Sequence, residues 1–146
     1  MLPQAKPILE RGRERLNECI AHCLECSKVC ATFAVECLDN EGCSAEMIGC
    51  ALLCFDCSEV CSTCAVMRVS EFADLMARVC AEVCEACAAA CDKGGKTGCS
   101  ADEARRKCAD ACRQCAESCR AEGLVTDSVP EFSRGGLRNP VSRSLH

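Results

Sequence analysis

One cysteine pattern occurs four times in the chain and leaves little freedom in how it can fold. Cys19, Cys23, Cys26 and Cys30 read C-x3-C-x2-C-x3-C, and the spacing returns at Cys50/Cys54/Cys57/Cys61, Cys80/Cys84/Cys87/Cys91 and Cys108/Cys112/Cys115/Cys119. At about 100° per residue, steps of four, three and four keep each set of sulfurs within an arc of about 60° on one helix face. Each copy is therefore a thiol-lined stripe. Successive copies begin 31, 30 and 28 residues apart, room for a helix of about six turns and a short connection. The pattern predicts an all-α fold, an antiparallel up-down-up-down four-helix bundle with a cysteine-lined core. The bundle is expected over residues 8–123, after an irregular lead-in at 1–7 and before a disordered tail at 124–146, where no periodicity survives.

Pro7 suits a first helical position, and the first helix should run to about residue 39. Its cysteine row continues to Cys37, with Phe33 at the intervening stripe position. Gly42 is the expected left-handed residue closing it. Ser44 can cap a second helix over about 45–69, whose stripe reads Met47, Cys50, Cys54, Cys57, Cys61 and Cys64. Ser70 is the expected cap of the third, and Ser100-x-x-Glu103 is a capping box for a fourth over about 101–122, stopped by Gly123. Antiparallel packing gathers Cys37, Cys43, Met47, Cys50, Cys91 and Cys99 at one end. Leu16, Met67, Ala73, Met76 and Ala77 gather at the other, around Cys64 and Cys119. The thiol-rich end is the expected mouth and the aliphatic end the plug.

Composition excludes several functions. The 146 residues include 20 cysteines and 4 phenylalanines but no tryptophan or tyrosine, so thiols occupy much of what would be core. A net charge of −5 argues against a nucleic-acid partner, which would need clustered Lys and Arg. Residues 1–18 are rich in Arg and Glu and hold no apolar run of signal-peptide type, and no stretch offers about 18 uninterrupted apolar residues. The expectation is a cytoplasmic protein with no membrane partner. There, 20 cysteines read as metal ligands rather than a disulfide framework. His22 is the only histidine before the tail, and no nucleophile–base or paired-carboxylate arrangement is suggested, so the chain is not expected to be an enzyme.

Thiolates select soft metals, Cu(I) above all, with Zn(II) and iron–sulfur clusters as competitors. Neighbouring sulfurs on one stripe can close on an ion between them, and a facing stripe can add a third ligand. Zinc instead wants closed tetrahedral sets, and iron–sulfur proteins use C-x2-C-x2-C or C-x4-C-x2-C spacings that no copy matches. If each sulfur bridges two Cu(I) ions, capacity approaches about one per cysteine, roughly 20. All the stripe cysteines with Cys37, Cys64, Cys43 and Cys99 are candidate ligands, the last two at the mouth. Met47 and His22 stay open as ligands or packing. A zinc or mixed soft-metal buffer and an iron–sulfur electron carrier are the alternatives.

From Glu14 to about Glu122 these four cysteine rows resemble the four-helix-bundle copper storage proteins of bacteria. The resemblance implies many Cu(I) ions inside the bundle and, without an export signal, the cytosolic type. It also implies a homotetramer, for which Leu52, Leu53 and Phe55 are the apolar contact candidates. Copper donor or acceptor proteins, or small thiols, would be its partners.

Overall fold

The computed structural model describes residues 5–93 and 101–125. Four helices follow in order, α1 (Ala5–Leu38), α2 (Ala45–Val66), α3 (Ala73–Lys93) and α4 (Asp102–Val125), and the described residues contain no strand. α1 packs on α2 and α4, and α3 packs on the same two helices. With short links between successive helices, that adjacency is the expected antiparallel four-helix bundle.

The helix limits follow from local chemistry. Ser44 Oγ accepts the Met47 amide at 3.2 Å, an N-cap contributing about 1 kcal/mol. Ahead of it the chain turns on Asn40 rather than Gly42. Asn40 donates its amide to the Cys37 carbonyl, its own carbonyl accepts the Cys43 amide, and its Oδ1 accepts the Gly42 amide at 2.9 Å. Gly42 does not take the left-handed conformation expected of it; the Asn40 side chain closes the turn instead. α2 stops at Val66, where the Met67 amide is shared between the Thr63 and Cys64 carbonyls. Ser70 Oγ accepts the Phe72 amide at 3.1 Å, so it holds the turn before α3 and does not cap the helix. α3 begins at Ala73, with buried Asp74 in its first turn ion-paired to Arg78 at 2.9 Å. α1 already begins at Ala5, ahead of the expected lead-in boundary, and α4 continues through Gly123 to Val125. Gly123 is thus no terminator. Cys99, the Ser100 cap and the tail from residue 126 lie outside the described residues.

The core is built of small residues. Cysteines occupy the axis, Phe33 and Met47 are the largest fully buried side chains, and alanines such as Ala34, Ala51, Ala81 and Ala109 sit at the helix contacts. Short side chains let the helices approach closely enough for sulfurs to meet across the axis. α2 is long and apolar enough, by length and composition, to cross a membrane. Much of that hydropathy is its buried cysteine row, and its outer face carries exposed Asp56 and Glu59 at mid-helix.

Two helix hairpins are tied differently. Ser27 and Ser58 join α1 to α2 by reciprocal bonds, each hydroxyl donating to the other's carbonyl at 2.9 and 2.8 Å. α3 and α4 are joined by ion pairs, Arg120 with both Glu85 oxygens at 2.7 and 3.0 Å and Arg113 with Asp92.

Candidate metal centre

Among the described residues eighteen cysteines are free thiols, and all are buried. They form a continuous sulfur ladder along the axis. At the Cys37 end, Cys37 Sγ donates to the Met47 carbonyl and Cys50 and Cys91 face one another with sulfurs 2.7 Å apart. Cys54 follows, 3.8 Å from Cys91, 3.3 Å from Cys87 and 3.4 Å from Cys108. Cys108 reaches Cys30 at 3.2 Å, and Cys30 reaches Cys112 at 3.5 Å. Near the middle, Cys26 and Cys57 meet Cys112 at 3.7 and 3.8 Å, and Cys61 meets Cys84 at 3.5 Å. Beyond them Cys80 lies 3.8 Å from Cys115, Cys115 3.7 Å from Cys23, and Cys19 and Cys23 lie 4.0 and 3.8 Å from Cys119.

This geometry suits shared coordination. A metal–sulfur bond of about 2.3 Å places sulfurs on one three-coordinate ion about 4 Å apart. The ladder therefore accepts ions with small side-chain movements. Five sulfur quartets, each within 4.8 Å, show how ligands overlap: Cys26, Cys30, Cys57, Cys87, Cys108 and Cys112 each belong to two of them. A sulfur in two sets is placed to bridge two ions.

The thiols also polarise one another. Cys50 is held down at about 5 by hydrogen bonds from Cys54 and Cys91, while Cys54 and Cys91 are themselves pushed up, in each case chiefly by Cys108. At the far end Cys119 and Cys23 hold Cys19 down at about 3, and Cys115 pushes Cys119 up. In the Cys50–Cys91 and Cys19–Cys119 contacts one sulfur is favoured as thiolate and its neighbour keeps the proton. Burial opposes ionising the whole set at once, so cations that replace those protons complete the lumen's chemistry.

Each expected site residue can be placed. The sixteen motif cysteines together with Cys37 and Cys64 are the eighteen lumen thiols. Cys43 is not among them: it is half-buried and disulfide-bonded, so it offers no thiolate in this structure. Cys99 lies outside the described residues. Met47 is fully buried beside Cys37. His22 is half-buried in a groove between α1 and α4 with Glu18 and Glu117, its Nδ1 buried without a hydrogen-bond partner.

The expected axial mouth is filled, since Phe33, Met47 and Cys37 show no exposure. Two arginines also belong to the site. Arg105 is 5% exposed and donates Nη1 to the Cys91 carbonyl at 2.6 Å. Arg68 donates Nε to the Cys64 carbonyl at 3.2 Å and Nη2 to the Ala73 carbonyl. Both continue a stripe, Arg68 four residues after Cys64 and Arg105 three before Cys108, and that spacing was the available signal.

Comparisons with known proteins agree with this geometry. A family profile described as copper storage protein matches residues 12–123. Among solved structures, the apo form of copper storage protein 3 from Bacillus subtilis is 30% identical, with a TM-score of 0.62 over 72% of this chain and 95% of that one. A Nitrosospira multiformis protein is 29% identical, with a TM-score of 0.64 over 77% of this chain and 98% of its own. No curated protein sequence matches.

Proposed function

The chain belongs to the copper storage protein family, and from that premise we propose that it holds copper as Cu(I), at about one ion per lumen thiol, roughly 18 per chain. The overlap of the buried sulfur quartets carries this reading. Charge balance supports the choice of ion. One Cu(I) per thiolate leaves the filled lumen neutral, whereas each closed four-thiolate zinc unit keeps two net negative charges away from water, which is strongly unfavourable without compensating cations. The family's description as copper storage protein supports reading the chain as a store rather than an enzyme. We place it in the cytoplasm, where a reducing environment would keep the lumen cysteines as thiols, exchanging copper with thiol carriers. The outer face of α2 supports a homo-oligomer, a tetramer by family resemblance, with Leu52 and Phe55 exposed and Leu53 half-buried against the core.

The test is an anaerobic Cu(I) titration of the reduced protein against a chromophoric chelator, with zinc run in parallel. Saturation at roughly 18 Cu(I) per chain, with zinc readily displaced, is the expected outcome. Saturation at four or five ions, or a preference for zinc, overturns it.

A further inference from the structure

Resting on the storage reading, we infer that copper reaches the lumen sideways, through the seam between α2 and α3, at a port formed by Gly49, Cys50 and Ala90. Both axial routes are occupied. Phe33 and Met47 fill one end, and Arg68, bonded to the Cys64 and Ala73 carbonyls, crosses the other. Among the eighteen free thiols only Cys50 has measurable exposure, at 3%. It lies in the floor of a groove of about 440 Å³ lined by Glu46, Gly49, Cys50, Ala90 and Lys93.

Gly49 has no structural reason to be glycine. It sits inside α2 without a positive φ, and an added Cβ would meet nothing within 4 Å, yet glycine in a helix interior costs about 0.5–1 kcal/mol relative to alanine. What its missing side chain does is keep the groove over Cys50 open, with small Ala90 opposite.

Behind the port the ligands are already in sequence. Cys91 faces Cys50 at 2.7 Å, Cys54 lies 3.8 Å from Cys91, and Cys108 lies 3.4 Å from Cys54. The fitting cargo is Cu(I) carried between two thiolates; of the two charged residues that line the groove, the exposed Lys93 ammonium would attract this anionic complex and the exposed Glu46 carboxylate would oppose it. Transfer is two ligand exchanges. The Cys50 sulfur binds copper as one carrier thiolate leaves with the Cys50 proton, then Cys91 repeats the step with the second. Two Cu–S bonds form, two break, two carrier thiols depart, and copper stays Cu(I).

The test has a metal-free arm and a copper arm. Brief alkylation of the reduced apo protein with iodoacetamide, mapped by mass spectrometry, should label Cys50 first among the eighteen lumen thiols. Gly49→Leu, whose side chain enters open space, should slow both that labelling and Cu(I) loading from a glutathione complex by about tenfold, with unchanged helical circular dichroism and final capacity. First labelling at Cys37 or Cys119, or unslowed loading of the variant, overturns the port. First labelling at Cys50 in a protein that binds only a handful of Cu(I) ions upholds the port and overturns storage.

Discussion

The two ends of the bundle are closed by opposite means. At the Cys37 end the closure is volume, with Phe33 and Met47 fully buried and Arg105 neutralised close by, its Nε 3.6 Å from Asp102 Oδ1. At the Cys64 end no large apolar side chain among the described residues is fully buried. The lumen finishes in Arg68, whose charge falls on Cys64, Cys19, Cys119 and Cys23. A sulfur-lined core has little bulk to spare, so where apolar volume runs out a guanidinium takes its place. That cation assists thiolate nearby: Cys19 at the Arg68 end is low, set first by its bonds with Cys119 and Cys23 and assisted by Arg68. At the volume-filled end no cation takes part: burial pushes Cys37 up, and Cys50 is low through its bonds with Cys54 and Cys91.

Truncation should separate the two closures. Phe33→Ala removes the largest buried side chain and should lower apo stability by about 3–5 kcal/mol. Its effect in urea unfolding followed by circular dichroism should not change with salt, because nothing charged is lost. Arg68→Met should cost less, about 1–3 kcal/mol, as the Cys64 and Ala73 carbonyls lose a charged donor. It should also raise the pH at which copper fills the Cys19/Cys119 end, because thiolate there loses its cation. An Arg68→Met protein as unstable as Phe33→Ala, or with unchanged pH dependence of loading, would mean that both ends are held by packing alone.

The fold was legible because cysteine here is at once the core residue and the periodic one: the spacing that made four helices also named the eighteen lumen positions. The arginines were not, since Arg usually keeps its head in water. Arg105 and Arg106 look alike as a solvated pair, yet Arg105 is buried against Cys91 and Arg106 is exposed. Stripe position separates them and residue type does not. Cys43 misled for a related reason, because a thiol near the lumen in sequence is no guide to whether its sulfur is already bonded. The turn chemistry was misassigned where a side chain could replace a glycine, as Asn40 does for Gly42.

Between the ends the α3–α4 seam offers the mildest perturbation, and it calibrates the others. Arg120 holds the Glu85 carboxyl below its usual range through a two-point hydrogen bond. A depressed carboxylate contributes stability above its unfolded pKa, near 4.3, and loses it as pH falls through the lower folded value. Both side chains are about half exposed, so the pair is worth at most about 1 kcal/mol. Arg120→Ala should therefore lower apo stability slightly at pH 7, less in high salt, and the difference from the parent should vanish in acid below the folded pKa of Glu85. Urea midpoints at pH 7 and pH 3, with and without salt, would show it. A loss that persisted in acid and salt would assign to Arg120 a packing role over Ala116 and Ala121, its neighbours in the α3–α4 groove, and the seam would then resemble the Phe33 end rather than the Arg68 end.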